Sequence, residues 1–212
     1  MTESVSFKGY SIVSCGVMRM ELESLRAAGF LDADNVFYCA PGLHEWPWEL
    51  EKQLPRQLSR ADRDSSKIIV LYGKKCFKDL HHPERETDAL IRETVANATR
   101  ISASNCVDML MSLEDRERLA GPEKIHWLTP GWLQHWDFIY KDWDDGLANE
   151  MFPAHDKAVV LDALGYFDKL MAESPERILT ISDWMKLPIE AMNISLERFK
   201  SLITEAGKAP TG

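Results

Sequence analysis

Thiols are the groups of this sequence whose type and spacing best suit chemistry. Apolar, partly β-branched runs predict strands over residues 10–14, 35–38, 68–72 and 99–102. Each run is followed by a cysteine, in the order Cys15, Cys39, Cys76 and Cys106. Ligands of open α/β sheets bind beyond the carboxyl ends of the strands, so we expect these thiols to converge at one edge of a sheet.

Three of these cysteines and one histidine form the predicted metal-binding set, namely Cys15, His44, Cys76 and Cys106. Thiolates and an imidazole suit zinc, and they equally suit an iron–sulfur cluster with one differentiated ligand. The sequence contains no Cys-x-x-Cys pair, so the fold would have to assemble the ligands. The alternative is that the cysteines pack in the core as small apolar side chains.

Glycines and lysines beside the cysteines predict a surface for a cofactor. Gly16 and Gly73 lack a side chain, which allows a ligand to approach the backbone. Lys74 and Lys75 would attract an anionic ligand, or would lower the pKa of the nearby Cys76 thiol. The alternative for the lysines is a solvated loop.

A metal-free thiol enzyme is a further hypothesis. Asn105 is a good helix cap and would place Cys106 at a helix N-terminus, where the dipole favours a thiolate. Glu21, Glu45 and Asp108 are plausible acids or bases, and no feature distinguishes among them.

Helices alternate with the strands over the first 130 or so residues. This order predicts an α/β fold with a doubly wound, mostly parallel sheet and a C-terminal helical extension. The pattern predicts a fifth strand over residues 123–128, an amphipathic helix over 155–171, a sixth strand over 177–181, and helices near Ser182 and Ser195. We interpret residues 1–212 as one α/β domain, with sheet-forming units over 8–130 and a mainly helical cover over 131–212.

The charge balance and the apolar pattern limit the partners. The chain carries 25 basic and 34 acidic residues, a net charge of -9, which argues against binding to nucleic acids or anionic membranes. The first residues do not resemble a secretory signal, and no run is long and apolar enough for a membrane helix. We therefore expect a cytoplasmic protein with reduced cysteines, which binds neither nucleic acid nor membrane.

Several short motifs, in this order along the chain, resemble the DUF1638 family of uncharacterised bacterial and archaeal proteins. They are Cys15-Gly16-Val17 with Glu21, Gly42-Leu43-His44, Tyr72-Gly73-x-x-Cys76, Cys106 with Asp108, and Leu128-Thr129-Pro130-Gly131-Trp132. Cys39 matches none of these motifs and ranks below the other cysteines. Members of the family often look like neighbours of genes for corrinoid-dependent methyltransferases, so the resemblance implies a role near methyl transfer.

Two classes of function follow from these observations. The first is a metal- or cluster-dependent enzyme or accessory protein of one-carbon, methyl-transfer or sulfur-linked metabolism, which acts on a small molecule. The second is a noncatalytic cofactor carrier or partner-binding module that serves a corrinoid protein or a methyltransferase. The metal-free thiol enzyme is the third hypothesis.

Overall fold

Seven parallel strands form two sheets in the computed structural model of the protein, which describes residues 5–152 and 154–209. The strands are β1 (Tyr10–Cys15), β2 (Asn35–Cys39), β3 (Lys67–Leu71), β4 (Ala98–Arg100), β5 (Ile125–Leu128), β6 (Lys157–Asp162) and β7 (Ile189–Asn193). The first sheet has the order β2-β1-β3-β4, and the second has the order β5-β6-β7. The predicted α/β class with parallel strands is confirmed, although the strands form two sheets instead of one.

The helices cover the faces of these sheets. They are α1 (Arg19–Ala27), α2 (Pro47–Asp64), α3 (Thr87–Thr94), α4 (Cys106–Leu110), α5 (Leu113–Ala120), α6 (Pro130–Gln134), α7 (Trp136–Ile139), α8 (Asp145–Met151), α9 (Tyr166–Glu173), α10 (Pro175–Met185) and α11 (Glu197–Lys208). Parallel strands need crossover connections, and helices supply most of them here.

The central strands of the first sheet are apolar on both faces because helices cover both. On β3, Ile68 and Val70 face α2 and α3, whereas Ile69 and Leu71 belong to the core on the opposite face. That second core continues without interruption into the second sheet. Ala158, Val160 and Leu161 of β6 therefore share one core with one face of the first sheet.

Helix α11 returns from the second sheet to the first. Its buried side chains Phe199, Leu202 and Ile203 belong to the core shared by the two sheets. The Tyr10 hydroxyl, at the start of β1, donates a hydrogen bond of 2.9 Å to the Gly207 carbonyl in α11. The first and last elements of the chain are thus packed together.

The predictions for the last third of the chain were wrong in part. The helix predicted over 155–171 is a strand, Lys157–Asp162, followed by a helix, Tyr166–Glu173. The strand predicted over 177–181 lies inside α10, and β7 was not predicted. Short apolar runs such as residues 158–161 fit a buried strand and a buried helix equally well, and pairing with β5 and β7 decides between them.

None of the described helices is long and apolar enough to cross a membrane.

Candidate functional site

Glycines bring the segments that follow the strands into backbone contact. A methyl group on Gly73, just after β3, would overlap the backbone of Ser104 and Asn105. One on Gly131, in α6, would overlap the Val17 carbonyl that follows β1. The carboxyl ends of strands from both sheets consequently meet in one place.

The turn after β3 positions Cys76 beside Cys106. The backbone amide of Lys74 donates a hydrogen bond of 2.9 Å to the Ala103 carbonyl, and that of Lys75 donates one of 3.0 Å to the Ser104 carbonyl. Cys106 begins α4 directly after this segment, and the Asn105 side chain caps the helix. The two thiols are close enough that a charge on Cys106 would raise the pKa of Cys76.

Trp132, from the second sheet's side, contacts two of the predicted ligands. Its indole N–H donates a hydrogen bond of 3.4 Å to the Cys106 Sγ. Its ring centroid lies 5.2 Å from that of His44. The His44 Nε2 lies 3.2 Å from the Glu45 Oε1, so the imidazole already has a polar neighbour. Trp132 therefore connects the histidine with the thiols.

Burial keeps the thiols protonated. Although Cys15, Cys76 and Cys106 retain some exposure, burial raises the pKa of all three, that of Cys106 to about 11. Ionised Cys15 would raise the pKa of both other thiols further. The three sulfur atoms thus form one electrostatically connected group, which a cation would stabilise as thiolates.

Cys39 pairs with Cys15 across β1 and β2 but is more deeply buried. Burial raises the pKa of its thiol to about 12. Among the described residues the Tyr72 hydroxyl has no hydrogen-bond partner of good geometry, and burial followed by the charges of Cys15 and Cys39 raises its pKa. The groups that act electrostatically on the Tyr72 hydroxyl are therefore cysteine thiols.

Buried oxygen atoms without hydrogen-bond partners among the described residues lie in the first turn of α1 and directly after β5. Both carboxyl oxygens of Glu21 and the hydroxyl of Thr129, which directly follows β5, are buried without a hydrogen bond among the described residues. Burial and then the nearby Asp162 raise the pKa of Glu21 to about 7. Glu21 also acts electrostatically on Cys106. A buried polar group without a partner is costly, which is typical of a position where a ligand or water belongs.

Residues 38–203 match the profile of a family described as "Protein of unknown function (DUF1638)". The chain belongs to the DUF1638 family. No curated protein and no solved structure matches the sequence. The match covers most of the elements described above and includes Cys39, Cys76 and Cys106.

The described part of this DUF1638 chain does not present a preformed metal site. Within residues 5–152 and 154–209, no three side chains of His, Cys, Asp or Glu are arranged to hold a metal ion. The donor types fit a soft metal, but the sulfur atoms would have to move to bind one. The metal-binding roles of Cys15, His44, Cys76 and Cys106 stay predictions.

The predicted cofactor-binding residues have structural neighbours of their own. The space beside Gly16 is filled by the Cys39 carbonyl, 2.9 Å from where a Cβ would lie, and Gly73 admits the backbone before α4. Lys74 and Lys75 are exposed, and the Lys74 Nζ lies 3.3 Å from the Glu86 Oε2. Close packing accounts for both glycines, and binding of a cofactor stays a prediction.

The structure distinguishes the three acids among which the sequence left the choice open. The Asp108 carboxylate accepts a hydrogen bond of 2.8 Å from the Ser104 amide and forms an ion pair of 3.1 Å with Arg198, so both of its oxygen atoms already have partners. Glu45 pairs with His44, whereas the carboxyl oxygens of Glu21 have no hydrogen-bond partner in the part of the chain that the structure describes. Of the three acids, Glu21 is thus the one whose carboxyl group is buried with a raised pKa.

Sequence reasoning did not single out Asp162, and it named Tyr72, Thr129 and Trp132 only as parts of motifs, without a role at the site. Asp162 ends β6 and accepts hydrogen bonds from the amides of Leu164 and Phe167, at 2.9 and 2.7 Å. An acid directly after an apolar run could have indicated it, but that run was interpreted as part of a helix. The predicted low pKa of Cys106 was wrong, because burial outweighs the effect of its short helix.

Proposed function

We propose that the chain binds zinc or an iron–sulfur cluster through Cys15, Cys76 and Cys106, with His44 as the nitrogen ligand. The single observation that supports this proposal is that the turns carrying Cys76 and Cys106 are joined by backbone hydrogen bonds at the same end of the sheet at which β1 ends in Cys15. A group of buried thiols without a cation stays protonated, and a soft metal ion would compensate the charge of the thiolates.

The residues around the thiols have separate roles in this proposal. The indole N–H of Trp132 would stabilise negative charge on Cys106, and Glu21, whose pKa burial raises to about 7, would exchange a proton near neutral pH. Zinc would supply Lewis acidity that activates a thiol, whereas a cluster would carry electrons or bind a sulfur species.

The metabolic setting is a proposal from the family resemblance. We propose that the protein serves one-carbon, methyl-transfer or sulfur-linked metabolism in the cytoplasm, next to a corrinoid protein or a methyltransferase. A metal-free thiol nucleophile is less favoured, because burial raises the pKa of every cysteine in the group.

Metal content in a set of serine variants tests the proposal. Protein purified without air would be analysed for zinc, iron and acid-labile sulfide, before and after reconstitution with each. We expect about one zinc ion or one cluster per chain, lost in Cys76→Ser and Cys106→Ser but kept in Cys39→Ser. The control fits because Cys39 also ends a strand and is outside the set.

Two results would contradict the metal site. One is a folded wild-type chain that takes up neither zinc nor a cluster after reconstitution. The other is equal loss of metal in Cys39→Ser. Loss of metal together with turnover in Cys76→Ser would favour an enzyme, whereas retained metal with lost binding to a corrinoid protein would favour a carrier or module.

A further inference from the structure

The first residue of α3 holds the turn that carries Cys76. This residue, Thr87, is fully buried. Its hydroxyl donates a hydrogen bond of 3.0 Å to the Gly73 carbonyl and accepts one of 3.0 Å from the Phe77 amide. Gly73 and Phe77 directly flank the short 3₁₀ turn that ends at Cys76. One hydroxyl group therefore holds both ends of this turn.

Arg100, at the end of β4, joins the same turn to the segment that precedes α4. Its guanidinium Nη1 donates a hydrogen bond of 3.4 Å to the carbonyl of Tyr72, just before the turn. The same nitrogen donates to the carbonyls of Ile101 and Ala103, at 2.5 and 3.0 Å. Arg100 thus contacts both of the backbone segments that carry the thiols.

Asp88 follows Thr87 in α3 and holds the guanidinium group of Arg100. Its two carboxyl oxygens accept hydrogen bonds from Nε at 2.6 Å and from Nη2 at 3.2 Å. A two-point contact of this kind fixes the plane and the direction of the guanidinium group. The side chains that hold the two segments therefore start from the same end of α3. We name Thr87, Asp88 and Arg100 the α3 clamp.

We propose that the members of the α3 clamp are positioning residues of the metal site proposed above, on which this inference rests. The clamp fixes the backbone around Cys76 relative to the backbone before Cys106. Bringing the two thiols to one metal ion then requires rotation of side chains, whereas the ordering of the turns is completed during folding. Residues that orient metal ligands typically change the metal affinity by about 10- to 100-fold.

Zinc affinity in threonine variants tests the clamp. Thr87→Val keeps the size of the side chain but removes the hydroxyl, and we expect it to bind zinc about tenfold more weakly than wild type. Thr87→Ser keeps the hydroxyl and should retain the wild-type affinity. Thr94→Val is the matched control, because the Thr94 hydroxyl donates 2.7 Å to the Leu90 carbonyl within the same helix. Competition with a chromophoric chelator measures each affinity.

Phenylarsine oxide tests the positions of the thiols without zinc. Its trivalent arsenic exchanges the oxygen for two sulfur atoms, and the oxygen leaves as water with both thiol protons, so nothing is oxidised. We expect a single arsenic to bridge Cys76 and Cys106 in wild type and in Thr94→Val, as peptide mass spectrometry would show. In Thr87→Val a small dithiol should remove the arsenic at about tenfold lower concentration.

Asp88→Asn is a second, milder variant, because Asp88 is partly exposed. Its amide oxygen still accepts one hydrogen bond from Arg100, so we expect losses in the same direction as in Thr87→Val but smaller. Circular dichroism would establish that each variant is folded.

Three results would overturn the clamp. The first is wild-type affinity for zinc and arsenic in folded Thr87→Val, and the second is an equal loss in Thr94→Val. The third is a wild-type chain in which arsenic does not bridge Cys76 and Cys106. A wild-type chain that binds arsenic but not zinc would refute the metal site, and weaker arsenic binding in Thr87→Val would then still support the clamp.

Discussion

The first sheet ends in sulfur, whereas the second sheet ends in oxygen. Cys15 and Cys39 close β1 and β2, and the turns after β3 and β4 reach Cys76 and Cys106. In the second sheet, a threonine follows β5, and β6 and β7 end in Asp162 and Asn193. The thiols suit a soft metal, and the oxygen atoms suit hydrogen bonds and protons. Neither sheet alone therefore supplies both the thiols and the oxygen atoms of the candidate site.

The contact between the sheets can be broken at Gly131. In Gly131→Ala the methyl group would overlap the Val17 carbonyl, and backbone cannot move aside as a flexible side chain can. We expect a loss of about 3 kcal/mol in the free energy of unfolding, since overpacking at a close contact costs that much. Urea denaturation measures this loss.

Gly165→Ala is the matched control for that experiment. Gly165 has φ of 68°, but no atom lies near the position of its missing Cβ. Only the strain of a left-handed residue applies, about 1 kcal/mol. Equal losses in the two variants would show that the sheets do not depend on close approach at Gly131.

A substitution of Glu21 tests the contribution of a buried carboxyl group separately from that of the thiols. Burial raises the pKa of this acid to about 7 in the folded chain from an ordinary value of 4.5. The folded state therefore holds its proton more tightly, so this contribution to stability is full below pH 4.5 and is lost as the pH rises through 7. The loss is on the order of 3 kcal/mol.

Glu21→Gln should remove that pH dependence. The amide cannot ionise, so above neutral pH we expect the variant to be the more stable protein in urea denaturation. Glu114→Gln, at an exposed position of α5, should keep the wild-type profile. A Glu21→Gln profile that falls as steeply as wild type between pH 5 and 8 would refute the assignment.

The smallest expected effect concerns the hydrogen bond from the Trp132 indole to the Cys106 thiol, which connects the second sheet with the cysteines of the first. Trp132→Phe keeps a ring but removes the N–H that donates to the Cys106 Sγ. Because that bond lowers the pKa of the thiol, its loss should raise the pKa, by less than about one unit. The pH dependence of alkylation at Cys106, followed by mass spectrometry, measures the change. Trp48→Phe should leave the alkylation profile unchanged.

The sulfur side of the site was more predictable than the oxygen side. Apolar runs followed by cysteines are visible in the sequence, and the parallel sheet brings their ends together. Thr129 and Asp162 depend on tertiary structure, because their strands belong to a second sheet that local periodicity did not reveal. The pKa of Cys106 also depends on surrounding atoms from distant segments, so a cap residue alone could not predict it.

Helix α11 has a consequence for synthesis on the ribosome. The strands of the first sheet are translated first, yet Ile12, Ile69 and Leu71 belong to a core that Phe199 and Ile203 complete. Until α11 has left the ribosomal tunnel, the nascent chain must therefore expose an apolar sheet face. Such a face invites aggregation. We expect chaperones that bind nascent chains to hold this protein until α11 has been translated.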